Sequence, residues 1–259
     1  VRHSKTRQKL QAGRPVKLAM MGHFVPLFVA QAAQQGYDAI WIDLEHRAMD
    51  KRELQALLAF CHLYDIDGLI RPPTREKGEL YRYLEDGATG LIMPLIENAE
   101  EAREIVNKIK FPPLGDRGLE GKGLDANFGL DTATPEGKDR FVNQANQETV
   151  FIPQIESPAA LSHAEAIAAV EGVDVIFIGP TDFELRAKGG EVMWEAALAQ
   201  MATAAKKTGK AWGAMPRNLE HVQNLFGLGA QFIPYGIDSN LLIAGLNKTS
   251  QELDALYGH

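Results

Sequence analysis

Residues 150–182 read VFIPQIESPAALSHAEAIAAVEGVDVIFIGPTD. An apolar run, Val150–Ile155, ends in a carboxylate, Glu156. A helical span follows, and a second apolar run, Val173–Ile178, leads through Gly179 and Pro180 to another carboxylate, Asp182. In a strand–helix–strand unit the crossover returns the chain in the same direction. The two strands are then parallel and their C-terminal ends are neighbours. Glu156 and Asp182 are therefore expected together at one end of a sheet. Two hard oxygen donors with little positive charge nearby suit a divalent cation.

The same rhythm extends outward in both directions. Short apolar runs occur at Val16–Met20, Ala39–Asp43, Gly68–Ile70 and Thr89–Met93 before this stretch, and at Ala211–Ala214 and Phe232–Pro234 after it. Helical patterns follow most of them, at Val25–Gln35, Asp50–Leu63, Lys77–Glu85, Asn98–Lys110, Glu191–Thr208, Leu219–Leu228 and Leu241–Leu256. Asp50 and Asn98 are natural N-caps, and Leu54, Leu57 and Leu58 recur at helical spacing. No fixed sequence period accompanies the pattern. Eight strand–helix units in 259 residues predict one domain, 1–259, folded as an α/β (β/α)₈ TIM barrel. The near-continuous apolar character of the runs suits strands buried on both faces. An open doubly wound sheet is the competing architecture. Residues 111–148 break the rhythm as a long inserted connection rich in Gly, Pro and Asp, expected at the surface, at a rim or against a neighbouring subunit.

Bulk composition narrows the classes. Apolar residues make up 45% and charged residues 24%, as in ordinary globular proteins. A net charge of −7 argues against nucleic acid as a partner. No run is long and apolar enough for a membrane span, so no membrane partner is expected. The opening VRHSKTRQKLQAGRP lacks the apolar core of a secretory signal. Cys61 stands alone, which excludes an internal disulfide and suits a reducing, cytoplasmic setting.

In a (β/α)₈ barrel the active site lies at the C-terminal ends of the strands. Strand two ends at Asp43 with Glu45 and His46 beyond it, and strand three ends at Arg71. Strand five carries Gln154 and Glu156, strand six leads to Gly179, Thr181 and Asp182, and strand eight to Gly236 and Asp238; His23 follows strand one. Each residue has a plain structural reading. Asp43 and Asp182 suit helix caps, Arg71 suits an ion pair, His46 a solvated loop, and Glu156 the first turn of a helix. Cys61, Trp194 and Trp212 read as core. Their joint placement on one rim is what points to chemistry. A metal held by Glu156 and Asp182 would be able to chelate a 2-oxo acid and polarise its ketone. Arg71 adds fixed positive charge where negative charge develops. His46, oriented by Asp43, moves a proton at an aldehyde or alcohol oxygen. No lysine sits at these strand ends, so a Schiff-base route lacks its nucleophile.

The segments GYDAIWIDLEH, RPP, LEDGATGLIMPLIENAEEA, FPPLGDRG, PQIESPAAL, VEGVDVIFIGPTD and YGID resemble the HpcH/HpaI aldolase family, within the citrate lyase β-subunit-like superfamily. The resemblance runs from about Lys17 to the C-terminal helix. It implies a class II pyruvate aldolase, a carbon–carbon lyase that cleaves 4-hydroxy-2-oxo acids to pyruvate and an aldehyde with Mg²⁺, Mn²⁺ or Co²⁺. By position, Glu156 and Asp182 match the metal ligands, and His46 with Asp43 matches the acid–base pair. Arg71 matches the pyruvate-binding arginine, Gln154 a binder of pyruvate or metal-bound water, and Gly179 and Thr181 the contacts to the pyruvate carboxylate. The resemblance further implies a homo-oligomer, trimer or hexamer, with the C-terminal helix exchanged between subunits. Glu85 occupies the position of an acid that a neighbour brings toward His46. Two departures stand out. Phe183–Glu184 replaces the frequent Leu–Ser, and LEGKGLDANFGLDTATPEGKDRF follows FPPLGDRG. They fall where the aldehyde portion or a subunit contact is expected. The alternatives are a lyase or decarboxylating carboligase on the same enolate, with oxaloacetate or acyl-CoA-type substrates, and a non-catalytic dicarboxylate-binding barrel.

Overall fold

A computed structural model describes residues 1–187 and 191–258. Eight parallel strands close into a barrel in sequence order. They are β1 (Val16–Met21), β2 (Ala39–Asp43), β3 (Asp67–Arg71), β4 (Gly90–Met93), β5 (Val150–Ile155), β6 (Val175–Ile178), β7 (Ala211–Ala214) and β8 (Phe232–Ile237). Helices between them form the outer layer. Strand alternation divides the apolar residues into two cores. One fills the barrel interior, where Trp41 meets Phe177 edge-on at 5.1 Å and Phe177 meets Phe232 at 6.0 Å. The other joins the outer strand faces to the helices, with Ile40, Ile70 and Phe151 against Leu57, Leu58 and Ile105. Strand packing leaves no room for a side chain at Gly213, whose Cβ would lie 1.8 Å from the Phe232 carbonyl oxygen.

The register places the polar ends. Asp43 pairs with Arg71 across β2 and β3, and Ile155 with Ile178 across β5 and β6. Residues one to four positions past β5 and β6 thus share one rim. Asp50 and Glu53 form a capping box on helix Lys51–Leu63, and Asn98 caps helix Ala99–Ile109.

Three helices were not legible from apolar spacing: Lys5–Gln11, Pro135–Glu148 and Pro180–Ala187. The first lies across the end where the strands begin. There it meets three aspartates, each just before or at the start of a strand. Lys9 pairs with Asp38 at 3.2 Å and Arg7 with Asp174 at 2.6 Å. Asp67, with no exposed surface, accepts from Ser4 Oγ and the Thr6 amide, both at 2.8 Å, and from Arg2. The long connection 111–148 is also at this end. It contains a 3₁₀ segment, Leu124–Gly129, and helix Pro135–Glu148, and builds a small core from Phe111, Ala126, Phe141 and Ala145. The segment is therefore more ordered than a plain connection, and it lies away from its own chain's strand C-termini.

Lys110 ties this connection shut. Lys110 is 2% exposed, and its ammonium donates to the Asn146 carbonyl at 2.8 Å and to that of Thr149. Burial pulls Lys110 from the ordinary 10.5 down to about 8. The unfolded chain then holds a proton that the folded chain has released between these two values. Stability gains from Lys110 as pH rises from about 8 to about 10.5, and the cost of burying the cation is in force below that window. Urea melts of the parent and Lys110→Met across this window are expected to move in the parent's favour by up to about 3 kcal/mol as pH rises. A constant difference would contradict the buried-cation assignment.

Candidate active site

The rim at the strand C-termini holds a cleft of about 280 Å³. Arg71, His46, Gln154, Glu156, Gly179, Thr181 and Asp182 line it, over a floor of Met20, Trp41, Phe177 and Met215. The expected residues from β2, β3, β5 and β6 thus meet in one place. Glu85 does not join them. It ends helix Lys77–Glu85, whose C-terminus points to the opposite end of the barrel. Gly236 lies inside β8 and not after it.

Asp43 and Arg71 form the best-defined pair. Arg71 Nε donates to Asp43 Oδ1 at 2.9 Å and Nη2 to Oδ2 at 2.8 Å, a parallel two-bond fork. Both side chains are 11% exposed. The Arg71 guanidinium lies over the Trp41 ring, 5.3 Å from its centre. Burial opposes the charged carboxylate of Asp43. The bonds and charge of Arg71, joined by the amides of His46 and Glu45, outweigh that and hold Asp43 below its ordinary range.

The imidazole of His46 does not contact Asp43. Only the His46 backbone amide does, at 3.4 Å, beside that of Glu45 at 3.0 Å. The side chain instead approaches Glu45, with Nε2 3.5 Å from Oε2, and is 54% exposed at the mouth. Glu45 Oε2 also lies 3.2 Å from Arg71 Nη1. Burial raises the Glu45 carboxyl against the opposing charges of Arg71 and His46. In this arrangement Asp43 orients Arg71, and Glu45 bridges Arg71 to His46. The physical reason is spacing: the guanidinium opposite Asp43 in register saturates both of its oxygens. His23 reaches the rim too, but its ring is engaged by Asp238 at 3.0 Å.

Glu156 is 3% exposed. Its Oε2 accepts from the Leu95 amide at 2.8 Å and its Oε1 from Gln154 Nε2 at 3.2 Å. Gly179 presses against it, since a Cβ there would stand 2.6 Å from Glu156 Oε1. Burial pushes Glu156 up to about 7; the Leu95 amide works the other way, and the charges of Glu45 and Asp182 add to the rise. Asp182 stands in the first turn of helix Pro180–Ala187. Neither residue of the departure Phe183–Glu184 lines the cleft. Phe183 is buried edge-on to Trp194 at 6.0 Å, and Glu184 pairs with Arg217 at 2.6 Å.

A divalent cation fits this donor set. Glu156 is a buried carboxylate near two other acids, short of compensating positive charge. Gln154 Oε1 is buried and has no hydrogen-bond partner. Among the described residues no three His, Cys, Asp or Glu side chains converge as ligands. Glu156 and Asp182 would supply carboxylate oxygens to the cation, with water and substrate oxygens completing the donor set. Two residues escaped the sequence reading. Arg186 contacts both Asp182 and the Glu156 backbone, and Trp41 underlies Arg71. Strand alternation from Asp43 points to Trp41 in retrospect, and the i,i+4 spacing from Asp182 to Arg186.

Known proteins resemble this chain in sequence and fold. The HpcH/HpaI aldolase/citrate lyase family model matches residues 21–245. A hydroxypyruvate/pyruvate aldolase from Deinococcus radiodurans is 32% identical over 90% of this chain and 83% of its own length. A 2-keto-3-deoxy-L-rhamnonate aldolase from Salmonella paratyphi B is 30% identical over 84% of this chain and 80% of its own. A crystal structure of a family protein from Burkholderia cenocepacia superposes with a TM-score of 0.86 at 27% identity, covering 96% of this chain and 99% of that one. With eight parallel strands closed around a cleft that joins D-x-E-H, RPP, Q-x-E-S and G-P-x-D, the chain belongs to the HpcH/HpaI aldolase/citrate lyase family.

Proposed function

We propose that this protein is a divalent-metal-dependent aldolase that cleaves 4-hydroxy-2-oxo acids to pyruvate and an aldehyde, and joins them in reverse. One observation carries the reading: Arg71, His46, Glu156 and Asp182 meet in a single cleft at the strand C-termini. The names of the relatives, hydroxypyruvate/pyruvate aldolase and 2-keto-3-deoxy-L-rhamnonate aldolase, belong to the same reaction class.

Glu156 and Asp182 would hold Mg²⁺, Mn²⁺ or Co²⁺, which supplies Lewis acidity toward a keto oxygen. The protein's own groups do the rest. Arg71, fixed by the Asp43 fork, presents positive charge to the oxygen where the enolate develops. Because its fork is already formed, Arg71 needs no reorganisation when that charge appears. The Gly179–Thr181 backbone, entering helix Pro180–Ala187, faces the substrate carboxylate with the positive end of the helix dipole. Gln154 Oε1, buried and unpaired, accepts from a hydroxyl or water in the cleft. His46 at the mouth, beside Glu45, takes the proton from the 4-hydroxyl as the C3–C4 bond breaks, and that proton passes, directly or through a water, to C3 of the enolate to give pyruvate; synthesis runs the same transfers in reverse. The apolar floor of Met20, Phe177 and Met215 keeps bulk water from the enolate.

The protein works as a homo-oligomer, a trimer or hexamer, with helix Asp238–Tyr257 exchanged between subunits. Supporting this, that helix has no buried residue and exposes Leu241, Leu242, Ile243, Leu246, Leu253 and Leu256. Glu85, remote from its own cleft, then reaches His46 of a neighbour. Among the described residues no helix is long and apolar enough to cross a membrane.

Pyruvate release from 4-hydroxy-2-oxo acids, read by a coupled dehydrogenase, is expected to require Mg²⁺ or Mn²⁺ and to stop with EDTA. Arg71→Ala is expected to lower kcat by roughly 100-fold or more, the scale of losing one oxyanion donor. Turnover indifferent to chelation, or the variant within tenfold of the parent, would sink the reading. Gly179→Ala is expected to lower activity by roughly tenfold or more while the melting temperature stays near the parent's, because the added methyl displaces Glu156. An active Gly179→Ala enzyme would show that Glu156 is not held where the cleft requires. For assembly, Leu242→Glu with Leu246→Glu is expected to shift sedimentation toward the single-chain mass; an unchanged profile counts against helix exchange.

A further inference from the structure

We infer that Arg186 is a positioning residue that locks Glu156 and Asp182 into one relative placement and thereby sets the protein's affinity for its divalent cation. The inference rests on the metal-dependent reading above. Glu156 is confined from several sides, by the Leu95 amide, the Gln154 amide and the close approach of Gly179. Asp182 is not. Among the described residues its carboxylate has one partner, Arg186 Nη2, 3.4 Å from Oδ1. The other arm of the same guanidinium, Nη1, donates to the Glu156 backbone carbonyl at 3.0 Å. A single rigid fork therefore spans the end of β5 and helix Pro180–Ala187.

Several features make this a device for geometry. Asp182 and Arg186 are four residues apart, one helical turn, so the contact comes with the helix. The helix is pinned by Phe183 against Trp194, which fixes where Arg186 starts. The guanidinium is planar, so its two arms cannot move independently. A lysine ammonium lacks this fixed, planar spacing between donors. The Arg186 side chain is 38% exposed, so solvent screens much of its charge while the bond directions persist.

Charge and geometry predict opposite signs. A guanidinium next to a ligand carboxylate repels a cation, so removing it tightens binding if charge dominates. Losing a positioning contact weakens binding. The full-length chain is titrated with Mn²⁺ and free ion is read by electron paramagnetic resonance, beside melting temperatures. Arg186→Lys and Arg186→Gln are each expected to weaken Mn²⁺ binding roughly tenfold, while Glu184→Gln on the same helix stays within about twofold of the parent. Arg186→Lys keeps the charge and the bulk, so it decides the matter should Arg186→Gln fail to fold. Parent-like affinity in Arg186→Lys, or tighter binding in Arg186→Gln, overturns the positioning role and leaves the metal-dependent reading intact. A parent that binds no Mn²⁺ overturns both. A variant with lowered melting temperature and unchanged affinity marks Arg186 as structural only.

Discussion

A ring of parallel strands has two chemically different ends, and the unequal treatment of carboxylates at those ends organises this protein. Where the strands begin, Asp38, Asp67 and Asp174 are saturated. Asp38 and Asp174 accept from backbone amides at the starts of β1 and β5 and pair with Lys9 and Arg7, while Asp67 accepts from Ser4, Thr6 and Arg2 of the N-terminal segment. Where the strands finish, Glu156 and Asp182 are under-compensated: one is buried with its proton affinity raised, and the other has, among the described residues, a single weak partner. A buried carboxylate without a cation is costly. The top rim keeps that cost, as the proposed cation site requires, while the bottom rim removes it.

Arg71 is the exception that makes the top rim workable. Its guanidinium makes two direct bonds to a rim carboxylate, and those bonds go to Asp43 and not to the proposed metal ligands. Had Arg71 paired with Glu156, its charge would neutralise the ligand and close the cation site. Register prevents this. Asp43 faces Arg71 directly across β2 and β3, whereas Glu156 approaches from β5. Trp41, one alternation below Asp43, supports the guanidinium from beneath. Specific charge placement thus follows from strand neighbours chosen by the barrel.

Much of this was legible in the residues. The apolar runs located the strands, since buried parallel strands carry little polar noise. The residues just past them, including His46, Arg71, Glu156 and Asp182, do line one cleft. Less visible was what each polar group touches. His46 and Asp43 lie three apart on a tight turn, which suggests an imidazole–carboxylate pair, yet Arg71 occupies both Asp43 oxygens. Helix Pro135–Glu148 was hidden because it buries only Gly137, Phe141 and Ala145, too sparse a stripe to stand out. Phe183 looked like a change in the site and is an anchor against Trp194. The aspartates of YDAI, IDGL and VDVI form a recurring mark before strands that composition alone does not separate from catalytic acids.

Local order alone determined the alternation of strand and helix, the caps at Asp50 and Asn98, and which residues sit just beyond each strand, because these depend on spacing within a few turns of chain. Tertiary structure decided the partners. That Arg71 belongs to Asp43, that Gly179 must lack a side chain beside Glu156, and that Arg186 spans two segments are facts of distance between groups 23 to 30 positions apart. Such distances exist only once the barrel closes, since closure is what sets the strands side by side and in register.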